Sequence, residues 1–129
     1  MGKLFIAAVV ALLLPAQAWA QTLTLNCPYE SSYDTKANSE TPMSGGFSAI
    51  VRMAETIATI EATTFGCFDY VGSFTEQEVA VGCERVAAGV TIKAALTINR
   101  INGDFSHTTL IGQSYRMNSG RCTVAKKLF

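Results

Sequence analysis

Residues 96–110 read "LTINRINGDFSHTTL". Apolar side chains fall at alternate positions on both sides of an Asn102-Gly103 pair. A period of two is the side-chain repeat of a strand buried on one face. Asn-Gly best tolerates the two positive φ angles of a type I′ hairpin turn. With a two-residue loop, Arg100 faces Phe105, Ile98 faces His107, Leu96 faces Thr109 and Ala94 faces Ile111. One face then collects Ile92, Leu96, Ile98, Phe105 and Ile111, with His107 among them. The other collects Thr97, Asn99, Asp104, Ser106 and Thr108. A slip of one residue would turn Phe105 and Ile111 to water, so the pattern specifies the faces. A three-residue loop with a glycine bulge, pairing Arg100 with Asp104, is the rival register and matches the apolar residues less well.

Upstream, residues 21–30 alternate Leu23, Leu25 and Cys27 against Thr22, Thr24 and Asn26, the pattern of a half-buried strand. Pro28 limits it to an edge or ends its pairing. Residues 31–46, "SSYDTKANSETPMSGG", are polar with Pro and Gly and read as a long loop, a first candidate for a contact surface. Residues 47–62 fit two descriptions. Phe47, Ile50, Val51, Ala54, Ile57 and Ala58 make a helical stripe, while β-branched residues fit two strands joined near Ala54-Glu55. The strand punctuation elsewhere favours two strands. The last segment predicts a strand over residues 113–117, a turn at Asn118-Ser119-Gly120 and a strand through Cys122 and Val124.

Four cysteines, Cys27, Cys67, Cys83 and Cys122, stand behind residues 1–20, "MGKLFIAAVVALLLPAQAWA". Lys3, an apolar run over residues 4–14 too short to span a bilayer, and Ala18-Trp19-Ala20 match a secretory signal peptide. The expectation is cleavage after Ala20, leaving residues 21–129 as a single domain, secreted or periplasmic. An even cysteine count in that setting reads as two disulfides. Cys67 and Cys83 lie symmetrically about Thr75, so a hairpin centred there sets them opposite each other, with Val71, Val79 and Val81 on their face. That pairs Cys67 with Cys83 and leaves Cys27 with Cys122, although two other connectivities satisfy the count.

Without Lys3, nine basic and ten acidic residues remain, and both signs are scattered. No basic stripe is present to neutralise phosphates, which argues against nucleic acid. The absence of any Asn-x-Ser/Thr acceptor favours a bacterial envelope over a eukaryotic secretory route. Stepping back by twos from Phe129 gives Lys127, Ala125, Thr123 and Arg121, a face no lipid would accept, so no membrane is expected after signal cleavage.

Catalytic signals are sparse. His107 is the one side chain that ordinarily titrates near neutral pH. It falls on the apolar face, away from Ser106, and reads as a core or rim histidine. Glu76 and Glu78 share a face at a hairpin mouth and read as solvated. Arg100 opposite Phe105 suggests a cation–π contact supporting the turn. No cofactor and no metal is expected: there is no Cys-x-x-Cys.

"LTINRINGDF" with "GRCTVAKKLF" resembles the C-terminal half of small secreted proteobacterial β proteins. These share Asn/Asp-Arg-x-x-Gly-x-Phe, a late Cys and a basic-basic-Leu-Phe end. Asn99, Arg100, Gly103, Phe105, Cys122, Lys126, Lys127, Leu128 and Phe129 match that pattern. Cys27 and Cys122, on the first and last strands, are similarly placed to those of the membrane-bound or periplasmic C-type lysozyme inhibitors, which are small β-barrels. Their Ser-Gly-x-x-Tyr-type loop is matched only by Ser119 and Gly120. Together these features predict an all-β antiparallel meander, a curled sheet or barrel of seven to eight short strands with two disulfides. The functional expectation is a non-catalytic binding or inhibitor module for an unidentified protein or small molecule. An envelope structural or assembly factor is the alternative, and a small hydrolase using His107 the remaining one.

Overall fold

The computed structural model describes residues 21–64 and 67–125. Residues 1–20, expected to be a signal peptide, and the Lys-Lys-Leu-Phe end lie outside the described residues. Ten strands follow in chain order: β1 Gln21–Asp34, β2 Ser39–Pro42, β3 Gly46–Ala54, β4 Ile57–Ala62, β5 Asp69–Phe74, β6 Glu78–Ala87, β7 Val90–Asn99, β8 Asp104–Ile111, β9 Ser114–Arg121 and β10 Thr123–Val124. From β3 to β9 each strand pairs with the next in sequence, and β9 returns to β1. The result is an eight-stranded antiparallel closed barrel.

β1 makes the closure by changing partners along its length. Its first half pairs with β3, through Leu23↔Val51 and Leu25↔Ala49. Its second half pairs with β9, through Ser32↔Asn118 and Asp34↔Arg116. β2 flanks that second half on the line of β3, and β10 flanks the first half on the line of β9. The ladder with β3 ends at Pro28↔Gly46, where proline has no N–H to give. The register with β9 then shifts between Tyr29 and Ser31. Such a bulge adds one residue and reverses which side chains point inward. Leu25 and Cys27 face the core before it; Ser32 and Asp34 share the face of Asn118 and Arg116 after it.

An eight-stranded barrel has an interior that side chains just fill. Here Val51, Ile60, Tyr70, Leu96 and His107 are almost completely buried, with Ala49, Ala58 and Ala62 making room for the larger groups. Phe47 meets Phe105 edge to face, centroids 5.1 Å apart, and Tyr29 packs 5.7 Å from Phe47. The favourable quadrupole geometry of such pairs adds to their area burial.

Residues 47–62 form two strands, as favoured, turning at Glu55 with φ 58°. Several other expectations are corrected. Residues 31–46 are not a long loop: β1 continues to Asp34 and β2 folds back on it, Asp34 facing Ser39. Asp34 Oδ1 accepts from Lys36 N–H (2.9 Å), Asn38 Oδ1 accepts from the Tyr33 hydroxyl (2.6 Å), and Asn38 takes φ 50°. Polar composition hid this hairpin because one of its strands closes a barrel without adding an apolar face.

The Asn102-Gly103 turn is wider than type I′. Ile98 faces Phe105 and Leu96 faces His107, so Arg100, Ile101, Asn102 and Gly103 all lie in the loop. Asn99 Oδ1 accepts from the N–H groups of Ile101 and Asn102, and Asn99 C=O accepts from Gly103 N–H. Only Gly103 of the pair has positive φ, 84°. The side-chain caps offer the backbone an alternative to the tight turn. The slip from the expected register is even, so Leu96, Ile98, Phe105 and His107 still face inward and Thr97 and Ser106 outward.

The hairpin between Cys67 and Cys83 slips by an odd number instead. Val71 faces Gly82, not Val79. Val71 is therefore turned outward, 61% exposed, and Tyr70 goes inside. The cysteines do not sit directly opposite; Cys67 precedes β5 while Cys83 lies within β6. Finally, Asn118, Ser119 and Gly120 form no turn. β9 runs through them to Arg121, and Gly120 permits this because a Cβ there would meet Pro28 O and lie 2.8 Å from the Phe105 ring.

Candidate functional site: a barrel mouth above a buried hydrogen-bond chain

The four cysteines form Cys27–Cys122 and Cys67–Cys83, the pairing expected. The first joins β1 to the link between β9 and β10, next to the closing seam. The second anchors the segment before β5 to β6. Cys27, Cys67 and Cys122 are buried and Cys83 is half-buried against the core, so both bonds brace the barrel wall. Among the described residues no cysteine is free and no group of acidic, His or Cys side chains could hold a metal ion.

The other sequence candidates scatter. Glu76 and Glu78 are exposed at the β5–β6 turn. Arg100 does not stack on Phe105. Its guanidinium lies 5.5 Å over the Phe74 ring and donates to Thr75 C=O, so it pins one hairpin loop to the next. Ser106 lies outside the barrel, opposite Thr97 and Ser119, while His107 points inward.

His107 is 1% exposed and faces Asn118 across the β8–β9 ladder. Its Nε2 lies 2.9 Å from the Tyr70 hydroxyl, which lies 2.5 Å from Thr64 Oγ1, which donates to Cys67 C=O at 3.0 Å. Counting protons gives this chain a direction. Thr64 spends its proton on Cys67 C=O, so it accepts from Tyr70. Tyr70 has one proton, so it accepts from His107, and Nε2 must carry the hydrogen. Nδ1 is then a bare lone pair. Burial pushes the His107 pKa below its usual value, which keeps the ring neutral, and burial likewise raises that of the Tyr70 phenol.

Among the described residues, two buried side-chain atoms have no hydrogen-bond partner: His107 Nδ1 and Asn118 Oδ1. Both are acceptors, on residues directly opposed across one ladder. Leaving such a group unsatisfied costs about 1–3 kcal/mol. Asn118 is 9% exposed and lines a cavity of about 540 Å³ at the end of the barrel where β8 passes to β9. Tyr29, Thr63, Thr109, Ser114 and Arg116 complete its polar wall, and Met43 and Ile111 supply apolar surface. Arg116 meets Asp34 at 3.4 Å on the rim. The Asp34 carboxyl is held below its ordinary pKa, chiefly by the Lys36 backbone N–H and then by Arg116. The opposite end of the barrel opens on a cavity of about 410 Å³ lined largely by aliphatic residues, including Leu23, Val51 and Ile98.

Sequence reading found His107 and its inward direction but missed Tyr70, Thr64, Arg116 and Asn118. The inward positions of β9 are Ser114, Arg116, Asn118 and Gly120. No apolar alternation marks them, so their strand could be read only from its partner. Comparisons of the chain with family models, curated proteins and solved structures found no match.

Proposed function

We propose that this protein is a small, exported, non-catalytic binding module whose site is the mouth floored by Asn118. The observation that carries the reading is the Asn118 amide: nine-tenths buried at the bottom of a concavity, with an acceptor oxygen that nothing satisfies. Barrel mouths are a recurrent place for small-molecule sites, where a few polar groups fix the ligand against an apolar wall. Two disulfides are characteristic of an oxidising compartment. With the signal-like segment they support a periplasmic or secreted location. The neutral, core-bonded state of His107 supports a binding role over a hydrolytic one, since its Nε2 hydrogen is committed to Tyr70. The filled interior and the outward Arg52–Glu61 ion pair at 3.0 Å support a domain that stays off the membrane.

The resemblance to secreted proteobacterial β proteins is consistent with this reading, as Asn99, Arg100, Gly103 and Phe105 build the β7–β8 turn. An inhibitor or envelope-assembly role would instead use the exposed β1–β2 hairpin against a protein partner. The test is a 1H–15N titration of the processed protein against neutral, anionic, cationic and apolar fragments. Shifts clustering at Thr63, Thr109 and Asn118 are expected. Shifts confined to the β1–β2 hairpin, or scattered over the barrel, would overturn the mouth as the site.

A further inference from the structure

The buried chain has a polarity, and that polarity defines what the mouth accepts; the inference rests on the mouth being the site. Cys67 C=O, Thr64 Oγ1 and Tyr70 Oη each receive a hydrogen from the next member, and the last of these comes from His107 Nε2–H. The next acceptor in line is His107 Nδ1, and the residue facing it is Asn118. Directly opposed inward side chains have Cβ atoms about 4.5–5.5 Å apart, so an amide and an imidazole are in reach of each other.

We propose that Asn118 is the terminal relay of this chain. A half-turn of its amide donates an Nδ2 hydrogen to His107 Nδ1 and presents Oδ1 to the mouth, where an uncharged ligand bearing a hydrogen-bond donor satisfies it. Both orphaned acceptors are then paired in one step. Neither end of the relay carries charge, because the imidazole is neutral and the amide always is. The lining contains one guanidinium, Arg116, which is already paired with Asp34 on the rim, and no carboxylate, so nothing in the wall supplies the free anionic partner that a desolvated cationic donor needs. The hydroxyls of Tyr29, Thr63, Thr109 and Ser114 both donate and accept, and suit a ligand with several neutral polar groups. The class is therefore a polyol such as a sugar, or a primary carboxamide, whose shared chemistry is an uncharged O–H or N–H donor.

The test uses the intact processed protein labelled with 15N and four probes: glucose, propionamide, propylammonium and butyrate. The expected result is that glucose or propionamide shifts the Asn118 side-chain NH2 and moves the His107 Nδ1 resonance to its hydrogen-bonded position, with Nε2 still protonated. Asn118→Leu should weaken that probe about tenfold, the equivalent of one lost hydrogen bond. Thr109→Val removes a wall hydroxyl without touching the relay. It should weaken the probe while the Nδ1 change persists at saturation, and it keeps the test decisive if Asn118→Leu does not fold. The relay is overturned if neither uncharged probe moves Nδ1, or if both variants bind as the parent does. Should propylammonium or butyrate alone bind at Asn118, the ligand class fails and the mouth stands as a site. If no probe perturbs the mouth, both fall.

Discussion

Gly120 and His107 show how single residues shape this barrel. Gly120 sits where β9 crosses β1, and a methyl there would meet the Pro28 carbonyl, a backbone atom that cannot step aside. Gly120→Ala should therefore cost about 1–3 kcal/mol, the usual range for overpacking, measured by urea denaturation. His107 sets a pH dependence. Its folded pKa lies below the unfolded value of 6.5. As pH falls through 6.5 the unfolded chain takes up a proton that the native ring refuses, so stability declines until the folded pKa is passed. His107→Gln keeps a donor for Tyr70 and does not titrate, so its stability should be flatter from neutral pH down through that window. Asp34 acts in the same direction but lower, since its stabilisation is lost only as pH falls below 3.8 toward its depressed folded pKa. The inward direction of His107 was legible in the sequence because parity survives an even slip. The role of Asn118 was not, because an isolated Asn beside Ser-Gly carries the composition of a turn.

Elements were legible where one face is apolar and opaque where it is not. Leu96, Ile98 and Phe105 announced β7 and β8, and Leu23, Leu25 and Cys27 announced β1. Loop geometry was less well encoded, because capping side chains compete with the preferences of the turn dipeptide. Asn99 decides the β7–β8 loop by accepting two backbone N–H groups. Asn99→Ala should cost about 0.5–1.5 kcal/mol and raise amide exchange at Ile101 and Asn102, leaving the β6–β7 ladder protected. An unchanged exchange rate there would show that Gly103 alone holds the loop. In β5 and β6 the odd slip inverted Val71 and Tyr70, and no apolar count could have caught it. Val71 is a strong strand former on either face, and Tyr70 inside buries its ring while its hydroxyl meets Thr64 and His107.

For the whole molecule, closure is the organising fact. The seam between β1 and β9 is made of polar residues, with Ser31 Oγ bonded to Ser119 Oγ at 2.8 Å on the outside, and it removes the sheet edges that would otherwise recruit other chains. Cys27–Cys122 spans 95 residues of chain beside that seam, and Cys67–Cys83 spans 16. On the chain-entropy relation the longer loop is worth about 4.7 kcal/mol and the shorter about 3. Replacing the Cys27–Cys122 pair by alanines should lower the denaturation midpoint more than replacing Cys67–Cys83; the reverse order would mean that the β5–β6 clamp is the more important. The pairing was readable from the sequence even though the register that suggested it was displaced.

The mouth, the relay and the protected edges all presuppose that the strands form a ring. A NOESY spectrum of the oxidised protein reads this directly across the seam. Cross-peaks linking residues 32–34 of β1 to residues 116–118 of β9, in antiparallel register, are the expected result. Their absence, with amides of both strands exchanging as free edges, would mean an open sheet and would contradict the barrel and the site built on it.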